Sequence, residues 1–195
     1  MKKIIQITFL SLLGASILIF NTPKLYASIQ GTGKYKPLTY YQSEEPLLEN
    51  VVYRYFSNTS TKDKFTISIS GTSITEGTMK FIISTFDGLT IHLEEHPSTY
   101  LIGYGLVSST PPTPKEEEEY IRKRVNDFFN DDNFSSPAIE ENEHFEIDYS
   151  NEEDWNDIIS DQTAVGFYYL IGEESGCQIA YSKKRRKIVT YYCCC

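Results

Sequence analysis

The chain has 195 residues, of which 40% are hydrophobic and 23% are charged, and its net charge at pH 7 is −9. Its length suits one well-buried domain. The acidic balance excludes nucleic acid as an expected partner, because binding to phosphates requires a basic surface.

The N-terminal residues predict a secretory signal. Two lysines precede a mostly apolar run that reaches Phe20, and a polar stretch then closes on Ala27. This layout is typical of a signal peptide that is cleaved near Ala27. We therefore expect residues 1–27 to be removed and residues 28–195 to form one domain in the periplasm or outside the cell. The alternative is a retained anchor, and membrane contact is expected only through such an uncleaved signal.

Short runs rich in β-branched and aromatic residues predict an antiparallel meander over residues 28–110. In one run Phe65, Ile67 and Ile69 alternate with hydroxyl side chains, which indicates a strand with one buried face. Between two later runs, Asp87-Gly88 has the composition of a tight hairpin turn, whose central residues take positive φ. The predicted strands of this half are residues 51–57, 64–70, 78–85, 89–94 and 99–105.

Residues 111–161 predict a helical and acidic segment. Thr113, Pro114 and Glu116 have the spacing of a capping box with proline at the first helical position, where a missing N–H costs nothing. A second capping box, from Ser150 to Glu153, predicts a short second helix. The predicted buried side chains of the two helices are Ile121, Val125, Phe128 and Phe129 in the first and Trp155, Ile158 and Ile159 in the second.

Residues 162–195 predict the C-terminal strands. A continuous apolar run from Ala164 to Gly172 is typical of a strand that is covered on both faces. Two further runs are joined by the basic residues Lys183–Lys187, which indicates a final hairpin. The predicted fold class is thus α+β, a largely antiparallel β-sheet of about seven or eight strands with two helices packed against it.

The sharpest chemical signal is the H-x-x-E-H spacing of His92, Glu95 and His96. In zinc proteases this spacing works on a helix, where residues four apart share a face and both imidazoles reach one metal. Here Pro97 and the alternation around His92 predict a strand, on which His92, Glu94 and His96 share a face and the two imidazoles lie roughly 13 Å apart. We expect no cofactor, no catalytic residue and no metal site, with metal binding by His92, Glu95 and His96 as the weaker alternative.

Acidic groups are concentrated in the second half of the chain, where residues 111–195 hold 19 acidic and 9 basic groups. A field of one sign attracts partners of the opposite charge, and it also keeps a protein soluble. The basic hairpin tip could serve as a partner or lipid contact, as a charged turn that blunts a sheet edge or as a counter-charge to the acidic half. The candidate binding residues are Glu152, Glu153 and Asp154 on the acidic side and Lys184, Arg185 and Arg186 at the predicted exposed tip.

The four cysteines predict a disulfide, because an exported protein meets an oxidising compartment. If the final hairpin turns through all five basic residues, Cys177 faces Cys193 and the apolar side chains of both strands lie on one face. A turn that is one residue shorter would instead place Cys177 opposite Tyr192. Cys194 and Cys195 then remain as a free, intermolecular or strained vicinal pair. The alternative is a frayed tail in which Cys193, Cys194 and Cys195 are all unpaired.

These observations predict an exported, non-catalytic binding protein that engages an unknown protein or an envelope polymer through its acidic half or an aromatic sheet face. An inhibitor of a basic enzyme or toxin is one form of this function. The competing hypothesis is an exported hydrolase or metal-binding protein that uses His92, Glu95 and His96. A deep pocket that gathers histidines with carboxylates would favour the enzyme, and a shallow, acidic or tyrosine-rich face would favour binding.

Overall fold

Eight strands and two α-helices form the part of the protein that the computed structural model describes, residues 45–103, 105–106, 111–172 and 176–194. The predicted signal segment 1–27 and Cys195 lie outside the described residues. The elements are β1 Leu48–Arg54, β2 Asp63–Ser70, β3 Thr78–Ser84, β4 Thr90–Pro97, α1 Pro114–Asp127, β5 Phe134–Ser135, α2 Glu152–Ile159, β6 Gly166–Leu170, β7 Gly176–Ser182 and β8 Lys187–Cys194. No helix within these described ranges is long and apolar enough to cross a membrane.

The strands form two antiparallel sheets of four, with the strand orders β1-β2-β3-β4 and β5-β6-β7-β8. This confirms the predicted α+β class, with the strands divided between two sheets. The predicted alternation in β2 is also present, since Phe65, Ile67 and Ile69 are fully buried. Gly88 takes a φ of 88° in the predicted turn between β3 and β4, a conformation that glycine adopts without steric cost.

The prediction of a strand at residues 99–105 is wrong. A 3-10 helix at Ser98–Leu101 takes its place. The ladder between β3 and β4 ends at Pro97, and the chain then turns so that Leu101 enters the core with 1% of its surface exposed. The apolar residues of this run predicted a strand. They mark a buried turn instead, because Leu101 can be buried without an extended backbone.

The main core lies where the two sheets meet α1, and phenylalanine and isoleucine side chains supply most of it. The Phe65 and Phe167 ring centroids, one from each sheet, lie 5.6 Å apart. Phe128, directly after α1, contacts Phe81 of the first sheet at 5.4 Å and Phe167 of the second at 6.0 Å. Such edge and tilted ring contacts add to the free energy of apolar burial. The predicted apolar side chains of α1, Ile121, Val125, Phe128 and Phe129, are all buried in this core.

A capping box starts α1 as predicted, with reciprocal hydrogen bonds between Thr113 and Glu116. Helix α2 begins one residue later than predicted. The Asn151 side chain, rather than that of Ser150, accepts the hydrogen bond from the Asp154 backbone at 3.0 Å. Asparagine is at least as good an N-cap as serine. Because Ser150 and Asn151 are adjacent, the sequence alone leaves the start of α2 uncertain by one residue.

A second, smaller core covers the outer face of the second sheet. Trp155 and Ile158 of α2 pack there against Ala180, Val189 and Tyr191 of β7 and β8. The same sheet contributes Phe167, Tyr169 and Ile179 to the main core on its other face. β7 and β8 are thus covered on both sides. The prediction that β6 is covered on both faces is wrong, because Tyr168 on its outer face is 39% exposed and the smaller core contains no residue of β6.

The turn between β7 and β8 is one residue shorter than the five-residue turn that was predicted. Ser182 pairs with Lys187, and Val189 lies opposite Ala180 rather than Tyr181. The predicted register assumed that all apolar side chains of this hairpin share one face. That assumption fails because the hairpin buries both faces, one in each core.

A β-bulge nevertheless brings Cys177 opposite Cys193. Ile179 pairs with Thr190 and Gln178 pairs with Tyr192, so Tyr191 is an extra residue in β8. A bulge restores a register that the short turn would otherwise shift. It also allows Tyr191 and Tyr192 to lie against the same smaller core, which alternating side chains of a regular strand could not do.

Candidate functional site

The inner face of β4 carries the three polar residues that the strand prediction placed together. β4 is an edge strand, and His92, Glu94 and His96 point toward the core side of the sheet while Glu95 lies on the other face, 2.8 Å from Lys80 Nζ. Glu95 is thus separated from both histidines. Within the described ranges, no group of three His, Cys, Asp or Glu side chains is placed to hold a metal ion.

Glu94 is held by three side chains. Its Oε1 accepts a 2.6 Å hydrogen bond from the Tyr169 hydroxyl. His92 Nε2 lies 3.1 Å from Oε1 without an aligned hydrogen bond, and His96 Nε2 lies 3.4 Å from Oε2. Burial opposes ionisation, but the contacts with His92, Tyr169 and His96 outweigh it and lower the pKa of Glu94 to about 2. Glu94 is therefore ionised at neutral pH.

Glu94 opens into a cavity of about 770 Å³ beyond the end of β4. The walls come from β4, the 3-10 helix, the first turn of α1 and the adjoining strands β6 and β7. We call this space the acidic–aromatic cavity, and its defining side chains are Glu94, His96, Tyr100, Glu117, Tyr169 and Cys177.

Two glycines and an aromatic stack shape the cavity wall. Gly103 and Gly172 both have positive φ, and a Cβ on Gly103 would lie only 2.8 Å from the Gly172 carbonyl oxygen. The two backbone segments can therefore approach closely only with glycine at residue 103. The Gly172 N–H donates to the Tyr100 carbonyl at 2.9 Å, and the Tyr100 ring stacks on His96 at a centroid distance of 5.2 Å.

The charges around the cavity are of one sign. Glu94 and Glu117 supply carboxylates, and the described lining contains no Lys or Arg. Tyr169 is a hydrogen-bond donor here, because burial and its contact with ionised Glu94 raise the pKa of the phenol well above its ordinary value. Carboxylates beside the faces of aromatic rings recognise organic cations by charge and by cation–π attraction. The arrangement suits an ammonium or guanidinium group.

The hairpin tip is attached to α2 rather than freely exposed. Arg185 forms ion pairs with Asp154, with Glu153 at 3.0 Å and with Asp157 at 3.9 Å, and its side chain is only 20% exposed. The Arg185 backbone N–H also donates to Ser182 Oγ, whose hydroxyl donates to Asp157. The prediction of an exposed tip is therefore wrong for Arg185, which neutralises the acidic start of α2.

The remaining candidate residues of the two charged groups lie apart at the surface. Lys184, Arg186 and Glu152 are exposed, and none of them forms an ion pair within the described residues. His144 is likewise exposed, distant from the other two histidines in sequence. The structure thus brings together only Arg185, Glu153 and Asp154 from the candidate set.

The predicted pairing of Cys177 with Cys193 is present as a disulfide, with the two Cα atoms 4.1 Å apart. Cys177 is also part of the cavity wall, so the disulfide fastens one side of the acidic–aromatic cavity to β8. Cys194 lies half-buried outside this disulfide.

Sequence reasoning found the β4 part of the site but not the rest. Alternation along a strand placed His92, Glu94 and His96 on one face. Glu117 and Tyr169 join them through tertiary packing, and neither carries a local pattern that distinguishes it from other acidic or aromatic residues of the chain.

Comparison of the chain with protein-family models, with curated proteins and with solved structures found no match.

Proposed function

We propose that this chain is an exported, non-catalytic binding protein that engages a basic protein through the acidic–aromatic cavity. The observation that carries the proposal is the presence of two carboxylates, Glu94 and Glu117, in a cavity of about 770 Å³ whose described lining has no Lys or Arg. A Lys or Arg side chain of the partner is the group that enters. An inhibitor of a basic enzyme or toxin is one form of this function.

The cavity is organised before the partner arrives. Hydrogen bonds with Tyr169 and His96 already orient the ionised Glu94, so little side-chain freedom is lost on binding. The exposed Tyr100 ring offers a π-face beside the carboxylates, which adds attraction for a cation. The negative charge of the whole chain would steer a basic partner toward the protein and speed encounter.

Export is supported by two features of the chain. The N-terminal segment up to Ala27 has the charge and hydropathy of a secretory signal. The Cys177–Cys193 disulfide is of a kind that persists in oxidising compartments. Both features support a protein that meets its partner in the periplasm or outside the cell.

Capture from an envelope extract at low and high salt tests the proposal. A basic protein should be retained by the immobilised protein at low salt and released at high salt, because salt screens exposed charges. Replacing both Glu94 and Glu117 with Gln should weaken binding of that partner about tenfold or more, since charge-assisted hydrogen bonds are lost. Unchanged retention by this double variant would contradict the proposal.

The chain offers matched controls for each carboxylate. Glu95→Gln removes an acidic group from the same strand but from the opposite face, and Glu119→Gln removes an exposed one from α1. Each control changes the net charge by the same amount as its counterpart. The control variants should retain the partner as the unmodified protein does.

A hydrolase is the second candidate, because the cavity gathers His96 with the carboxylates of Glu94 and Glu117, the arrangement that the enzyme hypothesis requires. A histidine beside a carboxylate can act as a general base on a water molecule. The structure changes the residue set of this alternative, since Glu94 and not Glu95 lies beside the histidines. Mass measurement of the captured partner separates the candidates: an intact partner supports binding, and a cleaved partner whose cleavage is lost in His96→Ala supports the hydrolase.

A further inference from the structure

A second cleft, at the other end of β4, is lined by aromatic and basic side chains. It has a volume of about 700 Å³ and lies where β1 ends, β2 begins and the β3–β4 turn folds over. Its defining side chains are Tyr53, Tyr55, Lys62, Lys64 and Phe86, which we call the aromatic–lysine cleft. The described lining contains no Asp or Glu, although the chain as a whole is strongly acidic.

The aromatic side chains of this cleft are exposed. Tyr53 is 54% exposed, Tyr55 49% and Phe86 77%. Three large aromatic side chains exposed around one concave surface are uncommon in a protein that buries most of its phenylalanines, and such patches mark binding sites. They are not needed by either core, since neither core includes them.

Strand register places aromatic and basic groups in one row. Tyr53 of β1 lies opposite Lys64 of β2, which lies opposite Ser84 of β3. Lys62 Nζ lies 5.4 Å from the centre of the Tyr55 ring, within cation–π range. The lysines therefore stand beside the rings rather than away from them.

The loop that carries Tyr55 and Lys62 is fixed by buried hydrogen bonds. Asp63 is fully buried and accepts hydrogen bonds from the Ser57 backbone and hydroxyl. The Asn58 side chain accepts from the backbone N–H groups of Ser60 and Thr61, each at 2.8 Å. A loop held in this way presents its side chains with little entropy left to lose on binding.

The opposite wall of the cleft is a fixed turn. The Thr85 N–H donates to the Leu89 carbonyl at 2.8 Å, and the Gly88 N–H donates to Thr85. The one carboxylate of this turn, Asp87, accepts a hydrogen bond from the Thr85 hydroxyl. The turn therefore fixes the backbone that carries Phe86, and the exposed Asp87 carboxylate lies on the same turn outside the described lining of the cleft.

We propose that the aromatic–lysine cleft binds a negatively charged polysaccharide. Sugar rings present apolar C–H faces that stack on Tyr and Phe rings, and their hydroxyl edges can hydrogen-bond to the Ser and Thr side chains of the lining. Lys62 and Lys64 supply the complementary charge for acidic substituents of the polymer. This ligand class is distinct from the basic partner proposed for the acidic–aromatic cavity.

Single-stranded nucleic acid also combines stacking with negative charge, but the observations favour a polysaccharide. Binding along a nucleic acid backbone needs an extended basic groove. Here the described lining supplies two lysines, which do not form such a groove. The lining instead supplies four hydroxyl side chains beside the rings, those of Ser60, Thr61, Ser84 and Thr85, which match the hydroxyl-rich edges of sugars.

Calorimetric titration with polygalacturonate, a polymer of uronic acid, tests this inference. Neutral dextran and oligothymidylate are the comparison ligands. We expect binding of polygalacturonate, at least about tenfold weaker binding of both comparison ligands, and a binding constant that falls with salt. Absence of polygalacturonate binding, equal binding of dextran or preference for oligothymidylate would each overturn the proposal.

Variants of the cleft locate the binding. Tyr55→Ala and Phe86→Ala should each weaken polygalacturonate binding about tenfold, and replacement of both lysines with Gln should remove most of the salt dependence. Tyr149→Ala, an exposed tyrosine outside the cleft, is the matched control and should bind as the unmodified protein does. Because the replaced side chains are exposed, the melting temperatures of these variants should equal that of the unmodified protein. Undiminished binding by the folded Tyr55→Ala and Phe86→Ala variants would refute the assignment of the site.

Discussion

Glu94 is held more firmly than a surface carboxylate because Tyr169, His92 and His96 surround it. Its neighbour Glu95 has a single partner, Lys80, on the solvent side of the strand. Two adjacent glutamates thus have different roles that follow from the alternation of a strand. One is directed into a cavity, and the other lies on the exposed face of the sheet.

The pH dependence of stability should reveal this difference. The pKa of Glu94 is lowered from 4.5 to about 2 in the folded protein. Ionised Glu94 therefore stabilises the fold above about pH 4.5, and this stabilisation is lost as the pH falls toward 2. Glu94→Gln should lower the melting temperature at about pH 5, and the difference from the unmodified protein should shrink as the pH approaches 2.

Glu95→Gln is the matched control for that measurement. Its difference from the unmodified protein should stay small across the same pH range, because Glu95 is an exposed group in a surface ion pair and such pairs contribute little. A Glu94→Gln difference that is independent of pH would contradict the assigned pKa.

Helix α2 and the β7–β8 hairpin depend on each other through Arg185. The segment from Val125 to Ser182 has 15 acidic residues and no Lys or Arg, so the first nearby positive charges after α2 come from the hairpin tip. Arg185 meets Asp154 and Asp157, which lie on the same face of the helix. The tip is therefore a structural counter-charge to α2.

Arg185→Ser should destabilise the protein by about 2 kcal/mol, because a largely buried ion pair loses one partner and leaves carboxylates unpaired. For a chain of this size that corresponds to a fall of about 4–8 °C in melting temperature. Lys184→Ser, which removes an exposed charge from the same turn, should change stability by less than about 0.5 kcal/mol. Equal losses in the two variants would show that Arg185 has no special role.

Local patterns predicted most elements of the fold, and tertiary packing decided the rest. The alternation of β2 and the capping box of α1 are encoded within a few residues. The two-residue strand β5 is not encoded locally, because it depends on pairing with β6. Phe134 pairs there with Phe167, and the two ring centroids lie 4.7 Å apart. The bulge at Tyr191 also escaped prediction, since a short turn and two buried faces must both be known before an extra residue is required.

The candidate site likewise has a part that local patterns predicted and a part that only tertiary packing explains. The strand pattern predicted that His92, Glu94 and His96 share a face. The other carboxylate and the phenol that complete the cavity come from α1 and β6, and only the packing of two sheets with a helix brings them to the end of β4. No spacing along the chain predicts such a meeting.

The whole molecule places the two proposed sites beyond opposite ends of one strand. The aromatic–lysine cleft includes the turn that precedes β4, and the acidic–aromatic cavity includes its last residues and the segment that follows. At about 3.3 Å per residue, the length of β4 separates them by roughly 20–25 Å. Ligands of opposite charge would thus be bound at a distance greater than the screening length at physiological salt, about 8 Å.

Both ligands should therefore bind at the same time. In calorimetric titration, the binding constant of the basic partner should change by less than about twofold when the aromatic–lysine cleft is saturated with polygalacturonate, because separated sites act additively. The Phe86→Ala variant should likewise leave the binding of the basic partner unchanged. Competition between the two ligands would show that they share one surface.

The β7–β8 hairpin is fastened at both ends, by Arg185 and α2 at its tip and by the Cys177–Cys193 disulfide at its base. Strands ordinarily fray from a free end, and their backbone amides then exchange hydrogen with solvent while the rest of the protein stays folded. This hairpin has no free end from which fraying can start. Exchange of the amides that pair β7 with β8 should consequently require opening of the whole molecule, so these amides are expected to be among the slowest to exchange.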